Sequence, residues 1–545
     1  MLRDILLIML SGAMLVLAFP PVDLWFLAWI GLVPFFFALE GKTRGKAFLS
    51  GLFLGIVFFL GTVYWVVNSM VAYGGVPVFT SIIILLFLVL CLSLYPAFFS
   101  LGMSFSFKAG LLSRLLFASS LWTALEYIRA VIPTAGFPWV LLGYSQSSFL
   151  HLIQIADITG VYGVSFLIVM ANMLIFFAFS HRVKRAKMPL LKTGAFVMAI
   201  VIMVLGYGFF RISQMDKISA GWKTIKVGIV QGNIDQGRKW DESFQGETVE
   251  IYRNLSFSIS REMPELIVWP ETAVPFYLQS DKNLTSLIFD VPRKTGAHLF
   301  TGSPAYKGYG EDAEYYNSAF LISPDGEFAG RYDKIHLVPF GEYVPLKKYL
   351  PFIHKLVVGV GDFVPGKTLM PIEFNGNSFG ALICFESIFP ELARGFIREG
   401  AGFLINITND AWFGRTSAPY QHFHQAAFRA VENKVFLVRG ANTGISGVID
   451  PVGRIKLKSG IFTREGMIGA VGIKDVKLFT FYARYGDIFA VGCVIISMVG
   501  LGFWIGRLRG KSKFQPPTDS IGGKRQMKSK AQGLNLIFYF RGYYV

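Results

Sequence analysis

Charge is what this chain has least of. Lys, Arg, Asp and Glu make up 16% of its 545 residues, against about 25% in soluble globular proteins. With 53% hydrophobic and 16% aromatic residues and a mean hydropathy of +0.50, a purely soluble chain is excluded and much of the surface must face lipid. The length exceeds what one compact domain usually holds. Acidic residues are the scarcer sign, 35 against 52 basic, for a formal net charge of +17. That excess invites a nucleic-acid partner, but the basic residues collect in short loops beside apolar runs, where orientation in a membrane accounts for them. No nucleic acid is expected. Cysteine is nearly absent: Cys91 and Cys493 sit inside apolar runs as small hydrophobes, which leaves Cys384 without a disulfide partner. A lone thiol of this kind is more often reactive than structural. There is no internal repeat. Gly228-Ile229-Val230-Gln231-Gly232 lacks the glycine spacing of a dinucleotide site. His422 and His424 stand two apart on an expected helix, so they point to different faces and are read as packing or surface residues. Neither a metal nor a cofactor is expected.

Long apolar runs are abundant. Spanning a bilayer takes roughly 20 mostly apolar residues, and eight stretches qualify as candidates: about 4–19, 24–40, 47–68, 79–100, 110–128, 157–180, 191–212 and 488–506. The first resembles a signal peptide, but Phe19-Pro20-Pro21 makes a poor cleavage site, so it reads as an uncleaved helix. Every even-numbered span is followed by Lys and Arg, as at Lys42, Arg44 and Lys46, whereas Pro20–Asp23 and Ser69–Val78 contain neither. This bias places both termini in the cytoplasm and the long stretch between spans seven and eight on the other side. The expected division is a transmembrane domain of seven helices over 1–213, an extracytoplasmic domain over 214–486, an eighth helix over 487–508 and a basic, disordered tail over 509–545. The loop at about 129–156, with Gly136-Phe137-Pro138-Trp139 and Gly143-Tyr144-Ser145-Gln146, reads as an aromatic interfacial belt rather than as a surface that admits substrate.

Within 215–485, β-rich runs alternate with helical stretches, as in an α/β layered fold. Strands are expected at Ile225–Val230, Leu266–Trp269, His298–Gly302, Ala319–Ile322, Phe379–Cys384, Phe403–Ile407 and Phe436–Arg439, and helices at about 246–262, 390–399 and 419–433. Asn375-Gly376 signals a tight turn into the Cys384 strand.

Three residues at such element ends carry chemistry. Cys384 closes a buried-looking strand, Glu271 follows Leu266-Ile267-Val268-Trp269-Pro270, and Lys334 lies in Arg331-Tyr332-Asp333-Lys334-Ile335-His336. Thiol, carboxylate and ammonium are nucleophile, base and oxyanion stabiliser for acyl transfer. Apolar neighbours would sharpen Glu271 as a base by desolvation, a helix starting near Pro390 would favour the thiolate, and the Phe385 N–H would be a second oxyanion donor. Taken singly, each is more often a surface charge or a core thiol.

Together, in the order Glu, Lys, Cys, they resemble the nitrilase (carbon–nitrogen hydrolase) superfamily. The longer runs Val268-Trp269-Pro270-Glu271-Thr272-Ala273, Lys334-Ile335-His336-Leu337-Val338-Pro339-Phe340-Gly341-Glu342-Tyr343-Val344-Pro345 and Asn406-Ile407-Thr408-Asn409-Asp410-Ala411-Trp412-Phe413-Gly414 resemble those of the apolipoprotein N-acyltransferase family. The resemblance covers nearly the whole chain to about 510. It implies an αββα nitrilase-like domain between membrane helices seven and eight, with Glu271 as base, Lys334 at the oxyanion and Cys384 as the acylated nucleophile. It further implies a supporting Glu342 and places Trp240, in Gly237-Arg238-Lys239-Trp240, on a mobile arm over the site. The family's usual Cys-Tyr-Glu run is here Cys384-Phe385-Glu386. The missing hydroxyl removes any role for a tyrosine O–H, while the backbone N–H stays.

The implied reaction takes an acyl chain from a membrane phospholipid to the N-terminal amine of a diacylglyceryl-modified apolipoprotein by way of a thioester. The implied setting is the bacterial cytoplasmic (inner) membrane, with the catalytic domain on the periplasmic side. The alternatives are a membrane-tethered nitrilase or amidase acting on a small amide or nitrile, which leaves eight spans unexplained, and a transporter or receptor. Transporters tend to carry ionisable groups at mid-membrane, whereas here Glu126 and Arg129 near one helix end are the main exception.

Overall fold

The computed structural model describes residues 1–107, 109–132, 136–180, 187–280, 282–308, 310–343, 363–475 and 478–512. The basic tail expected beyond about 510 lies almost wholly outside them. The amino-terminal part is helical: α1 (Leu2–Leu17), α2 (Arg44–Val63), α3 (Val66–Ala72), α4 (Val78–Ser106), α5 (Leu111–Val131), α6 (Val161–Phe179) and α7 (Lys187–Ala220). In hydrocarbon a helix is the one open element that satisfies its own backbone groups, and these sequences offer little else to bond with. Among the described residues, five helices are long and apolar enough to cross a membrane: 44–63, 78–106, 161–179, 188–220 and 488–506.

The other three expected spans differ for stated reasons. α1 is 16 residues long. Segment 24–40 breaks into Trp25–Leu27, Ala28–Gly31 and Val33–Leu39, with a proline in the first turn of the last piece. Asn172 of α6 makes that break tolerable: its Oδ1 accepts from the Leu32 amide at 2.8 Å and its Nδ2 donates to the Ala28 carbonyl at 2.8 Å. α5 carries Arg114, Glu126 and Arg129, all buried. Close helix packing rests on small residues. A Cβ on Gly51 would come within 2.2 Å of the Pro96 carbonyl oxygen, and one on Gly55 within 2.7 Å of Ser93 Cα, so α2 and α4 touch through their backbones.

Among the described residues, the part that follows α7 holds two six-stranded sheets. One runs β12-β1-β2-β3-β4-β5 and the other β11-β10-β9-β8-β7-β6. The first half supplies β1 (Lys223–Gln231), α8 (Glu242–Ile259), β2 (Leu266–Val268), α9 (Lys282–Thr295), β3 (His298–Lys307), β4 (Glu314–Ile322) and β5 (Phe328–Asp333). The second supplies β6 (Ile372–Phe374), β7 (Asn377–Ile383), α10 (Pro390–Arg398), β8 (Phe403–Thr408), α11 (Ala418–Asn433), β9 (Leu437–Ala441), β10 (Gly447–Ile449), β11 (Ile455–Lys458) and β12 (Glu465–Ile473), before α12 (Ile488–Ser512). β1-β2-β3 and β7-β8-β9 are parallel, which is why their strands are apolar on both faces. The sheets meet through Phe300 and Phe379, whose rings are 5.0 Å apart, and through Gly440, where a Cβ would sit 3.0 Å from Val268. Tyr252, Ile288 and Val291 of α8 and α9 pack outside the first sheet. The layers are therefore helix, sheet, sheet, helix. Asn375 and Gly376, both at positive φ, form the expected turn from β6 to β7.

The helical and sheet-bearing parts interlock through buried polar groups. Asp157 accepts from Tyr207 Oη and Arg211 Nε, each at 2.7 Å, and lies 3.7 Å from Lys434 Nζ of the sheet-bearing part. Trp139, fully buried, donates its Nε1 to Gln421 Oε1 at 2.7 Å. This corrects the belt reading of the 129–156 loop. Arg129 pulls the loop inward by donating to the Trp139 carbonyl at 2.8 Å, and Glu126 accepts from the Leu142 amide at 2.7 Å. Residues 138–147 are thus buried at the seam.

Candidate active site

Parallel strands present ligand sites at their carboxyl ends, and here Glu271, Cys384 and Asn409 follow the parallel strands β2, β7 and β8, while Lys334 follows the antiparallel β5. Cys384 has φ of +55°, a left-handed conformation that costs a non-glycine residue about 1–3 kcal/mol. It leaves β7 abruptly and opens a 3-10 turn over Cys384–Ile388. Glu386 secures the turn. Its carboxylate accepts from the amides of Ile383 (2.7 Å), Ile335 (2.7 Å) and His336 (3.1 Å) and from Tyr332 Oη (2.9 Å). One side chain therefore ties the nucleophile's turn to the loop that carries Lys334. Burial pushes its carboxyl up to about 7.

The three expected groups come together. Lys334 Nζ lies 3.5 Å from Glu271 Oε1 and 3.0 Å from Glu342 Oε1. Glu342 therefore pairs with Lys334, and its other oxygen accepts from the Val338 amide at 2.8 Å. Lys334 is 1% exposed. Burial works against its ammonium, but the carboxylates of Glu342 and Glu271 raise its pKa above the usual lysine value and keep it charged. The charges of both Glu271 and Lys334 bear on the Cys384 sulfur. Burial and Glu271 push the thiol well above its ordinary pKa. This corrects the expectation of a thiolate favoured by the Pro390 helix. That helix starts six residues on, and burial of the sulfur opposes the thiolate it would favour.

Several partners escaped sequence reading. Asn317 Nδ2 donates to Glu271 Oε1 at 2.9 Å and to Glu342 Oε1 at 2.7 Å, and the Asn409 amide donates to Glu271 Oε2 at 3.0 Å. The buried Lys239 Nζ donates to the Glu271 carbonyl at 3.2 Å, and burial lowers its pKa to about 8. Trp240 is half-buried on the same turn, next in the chain. Phe385 is half-buried, its ring stacked 6.2 Å from Trp139. Its amide is among the first N–H groups of a helical turn, which have no partner inside it.

His422 takes the packing role, one of the two expected of it. It is fully buried behind the nucleophile, with Nε2 2.8 Å from Ser387 Oγ and 3.2 Å from the Cys384 carbonyl, and Nδ1 3.0 Å from Asp410 Oδ1. Arg439 Nη2 donates to Asp410 Oδ2 at 2.9 Å. Burial opposes ionisation of Asp410, yet Arg439 and His422 hold it at about 2. Burial and Arg439 keep His422 neutral. His424 faces elsewhere, 2.5 Å from Ser147 Oγ. The available signal was polar residues inside a core strand, Asn406 and Thr408 in Phe403–Thr408, since such groups are retained where something must be bonded.

The pattern described as the apolipoprotein N-acyltransferase N-terminal domain matches residues 11–174, and that described as carbon-nitrogen hydrolase matches residues 226–480. A protein of Geobacter metallireducens named apolipoprotein N-acyltransferase is 45% identical over 90% of this chain and 93% of its own length. One of the same name from Methylococcus capsulatus is 33% identical over 92% and 96%. A solved amidase of the nitrilase superfamily from Nesterenkonia AN1 is 20% identical, with a TM-score of 0.36, and covers 48% of this chain and 93% of that one. The chain belongs to the apolipoprotein N-acyltransferase family.

Proposed function

We propose that the protein moves a fatty acyl chain from a membrane phospholipid, through a thioester on Cys384, to the N-terminal amine of the diacylglyceryl-cysteine of apolipoproteins. The observation that carries this reading is the buried thiol at φ of +55° beside a carboxylate and an ammonium that are 3.5 Å apart, in a domain bolted to apolar helices. In the first stage Glu271 takes the thiol proton as sulfur attacks the ester carbonyl, whose oxygen becomes negative facing Lys334 and the Phe385 amide. The C–O bond breaks, Glu271 returns its proton to the departing oxygen, and lysophospholipid leaves. In the second stage the acceptor amine attacks the thioester, Glu271 takes a proton from nitrogen, and the C–S bond breaks to return the thiol and leave an amide. The balance is ester plus amine to amide plus alcohol, with no cofactor in the scheme. Glu342 holds Lys334, Glu386 holds the turn, and Trp240 covers the approach. A dry site protects the thioester from water.

The topology that suits this chemistry has eight spans, both termini in the cytoplasm of a bacterial inner membrane and the catalytic domain periplasmic. Its divisions are 1–213, 214–486, 487–508 and a basic tail over 509–545. Support comes from the basic loops, which follow the even-numbered spans. The test is reconstitution with phospholipid and a diacylated lipopeptide, reading the product and the mass of Cys384. An acyl adduct that is lost in Cys384→Ser, together with an N-acylated lipopeptide, is the expected result. No adduct, with turnover of small amides instead, would sink the proposal in favour of a tethered amidase.

A further inference from the structure

The segment after β8 does two jobs. Its first residues serve the catalytic centre: the Asn409 amide donates to Glu271 Oε2 at 3.0 Å, and Asp410 holds His422 and Arg439 behind Cys384. Its later residues are held by the helical part. The Trp412 carbonyl, in the 3-10 turn Asp410–Phe413, accepts from Asn68 Nδ2 at 3.2 Å and from Ser69 Oγ at 2.8 Å. The Trp412 ring meets Tyr73 edge-on at 5.3 Å, Phe413 meets Trp65 at 4.8 Å, and the Ser417 amide donates to Tyr64 Oη at 3.3 Å. Gly414, at φ of +61°, lets the chain pass so close that a Cβ would fall 2.8 Å from Asn68 Nδ2. The elbow between α2 and α3 therefore grips this segment across a sequence separation of 344 residues, with a single turn between the grip and the base.

We propose that Asn68 and Ser69, on helix α3 of the helical part, are positioning residues for Glu271. By fixing the Trp412 carbonyl they fix the Asn409 amide, and so the direction in which the carboxylate faces the Cys384 thiol. A carboxylate oxygen accepts a backbone N–H in a narrow geometry, and a displacement of about 1 Å far from the chemistry can cost about 100-fold in rate. The proposal rests on the acyl-transfer reading above, which assigns Glu271 as the base. It adds that part of the catalytic geometry is supplied from outside the nitrilase-like domain.

The test uses the full chain in phospholipid vesicles and two probes of Cys384, each read by mass spectrometry of its peptide: the acyl adduct, and alkylation by iodoacetamide across pH. Alkylation needs the thiol and its base but no lipid donor. In Asn68→Ala/Ser69→Ala, acyl-adduct formation is expected to fall about tenfold to a hundredfold. Alkylation is expected to slow at neutral pH and to recover only at higher pH, and Ser69→Thr, which keeps the hydroxyl, to behave as the parent. Should the double variant fail to fold, Ser69→Ala alone removes the shorter bond and serves the same comparison. Parental rates for both probes would overturn the proposal. So would slow acylation with parental alkylation, which would mean that the pair docks lipid. A parent that alkylates but never acylates would instead sink the acyl-transfer reading.

Discussion

Replacing Asn317 by alanine removes a side-chain amide that hydrogen-bonds the carboxylates of both Glu271, at 2.9 Å, and Glu342, at 2.7 Å. Hydrogen bonds to charged groups contribute about 1.5–3 kcal/mol each. The bond to Glu271 also keeps that carboxylate from closing on Lys334, from which it stands 3.5 Å away. Without it the existing ion pair is expected to shorten, turning the base from the thiol and the ammonium from the oxyanion. Loss of the one bond to Glu271 then predicts acylation slower by about tenfold to a hundredfold, at about 1.4 kcal/mol per factor of ten. Rapid mixing with phospholipid vesicles, quenching in acid and weighing the Cys384 peptide gives that rate directly. Asn317→Asp puts a third carboxylate beside the two and should lose more than alanine does, because like charges repel in a buried site. Acylation of Asn317→Ala within twofold of the parent would refute the reasoning.

Other expectations follow from the same geometry. Glu386 has a folded-state pKa of about 7 against an ordinary 4.5. Its contribution to stability is therefore complete below about pH 4.5 and lost as pH rises through 7. The melting-temperature difference between the parent and Glu386→Gln should shrink across that window, and a difference flat in pH would contradict it. His422→Ala takes a partner from Ser387 and from the Cys384 carbonyl and should destabilise by about 1–3 kcal/mol, with slowed alkylation of Cys384. Denaturant melts and the alkylation rate measure the two effects. Trp139→Ala empties a fully buried seam position and should cost about 3–5 kcal/mol in urea or thermal melts, with Trp139→Phe costing less.

Much of this architecture could be read before any coordinates. The apolar runs at Phe379–Cys384 and Phe403–Ile407 became β7 and β8 because parallel core strands need apolar residues on both faces, and the Asn375-Gly376 turn fell where its positive φ values are tolerated. Segment 24–40 is three helical pieces and not one helix, because hydropathy counts residues and not helix breaks. Its interruption is repaired by Asn172, well over 100 residues away. The convergence of Glu271, Lys334 and Cys384 followed from long motifs, but Asn317 and Lys239 carried no local mark. Their importance lies in which strand end they approach, a matter of tertiary register. The spacing to His424 separated the two rings correctly and left packing open for His422, but said nothing of Asp410 and Arg439, which arrive from the turn after β8 and from β9. Trp139 shows the converse error, where a residue type common at membrane interfaces was drawn inside by Gln421 and Arg129.

The Asp157, Arg211 and Lys434 cluster bears on how a bulky, two-tailed substrate could get in. Rocking the whole enzyme head away from its helical seat would part Lys434 from Asp157, which keeps Arg211, and removing one partner of a buried ion pair costs about 3–5 kcal/mol. A clam-shell opening is thereby disfavoured. Small local movements at the rim leave that pairing, and the frame that sets the chemistry, intact.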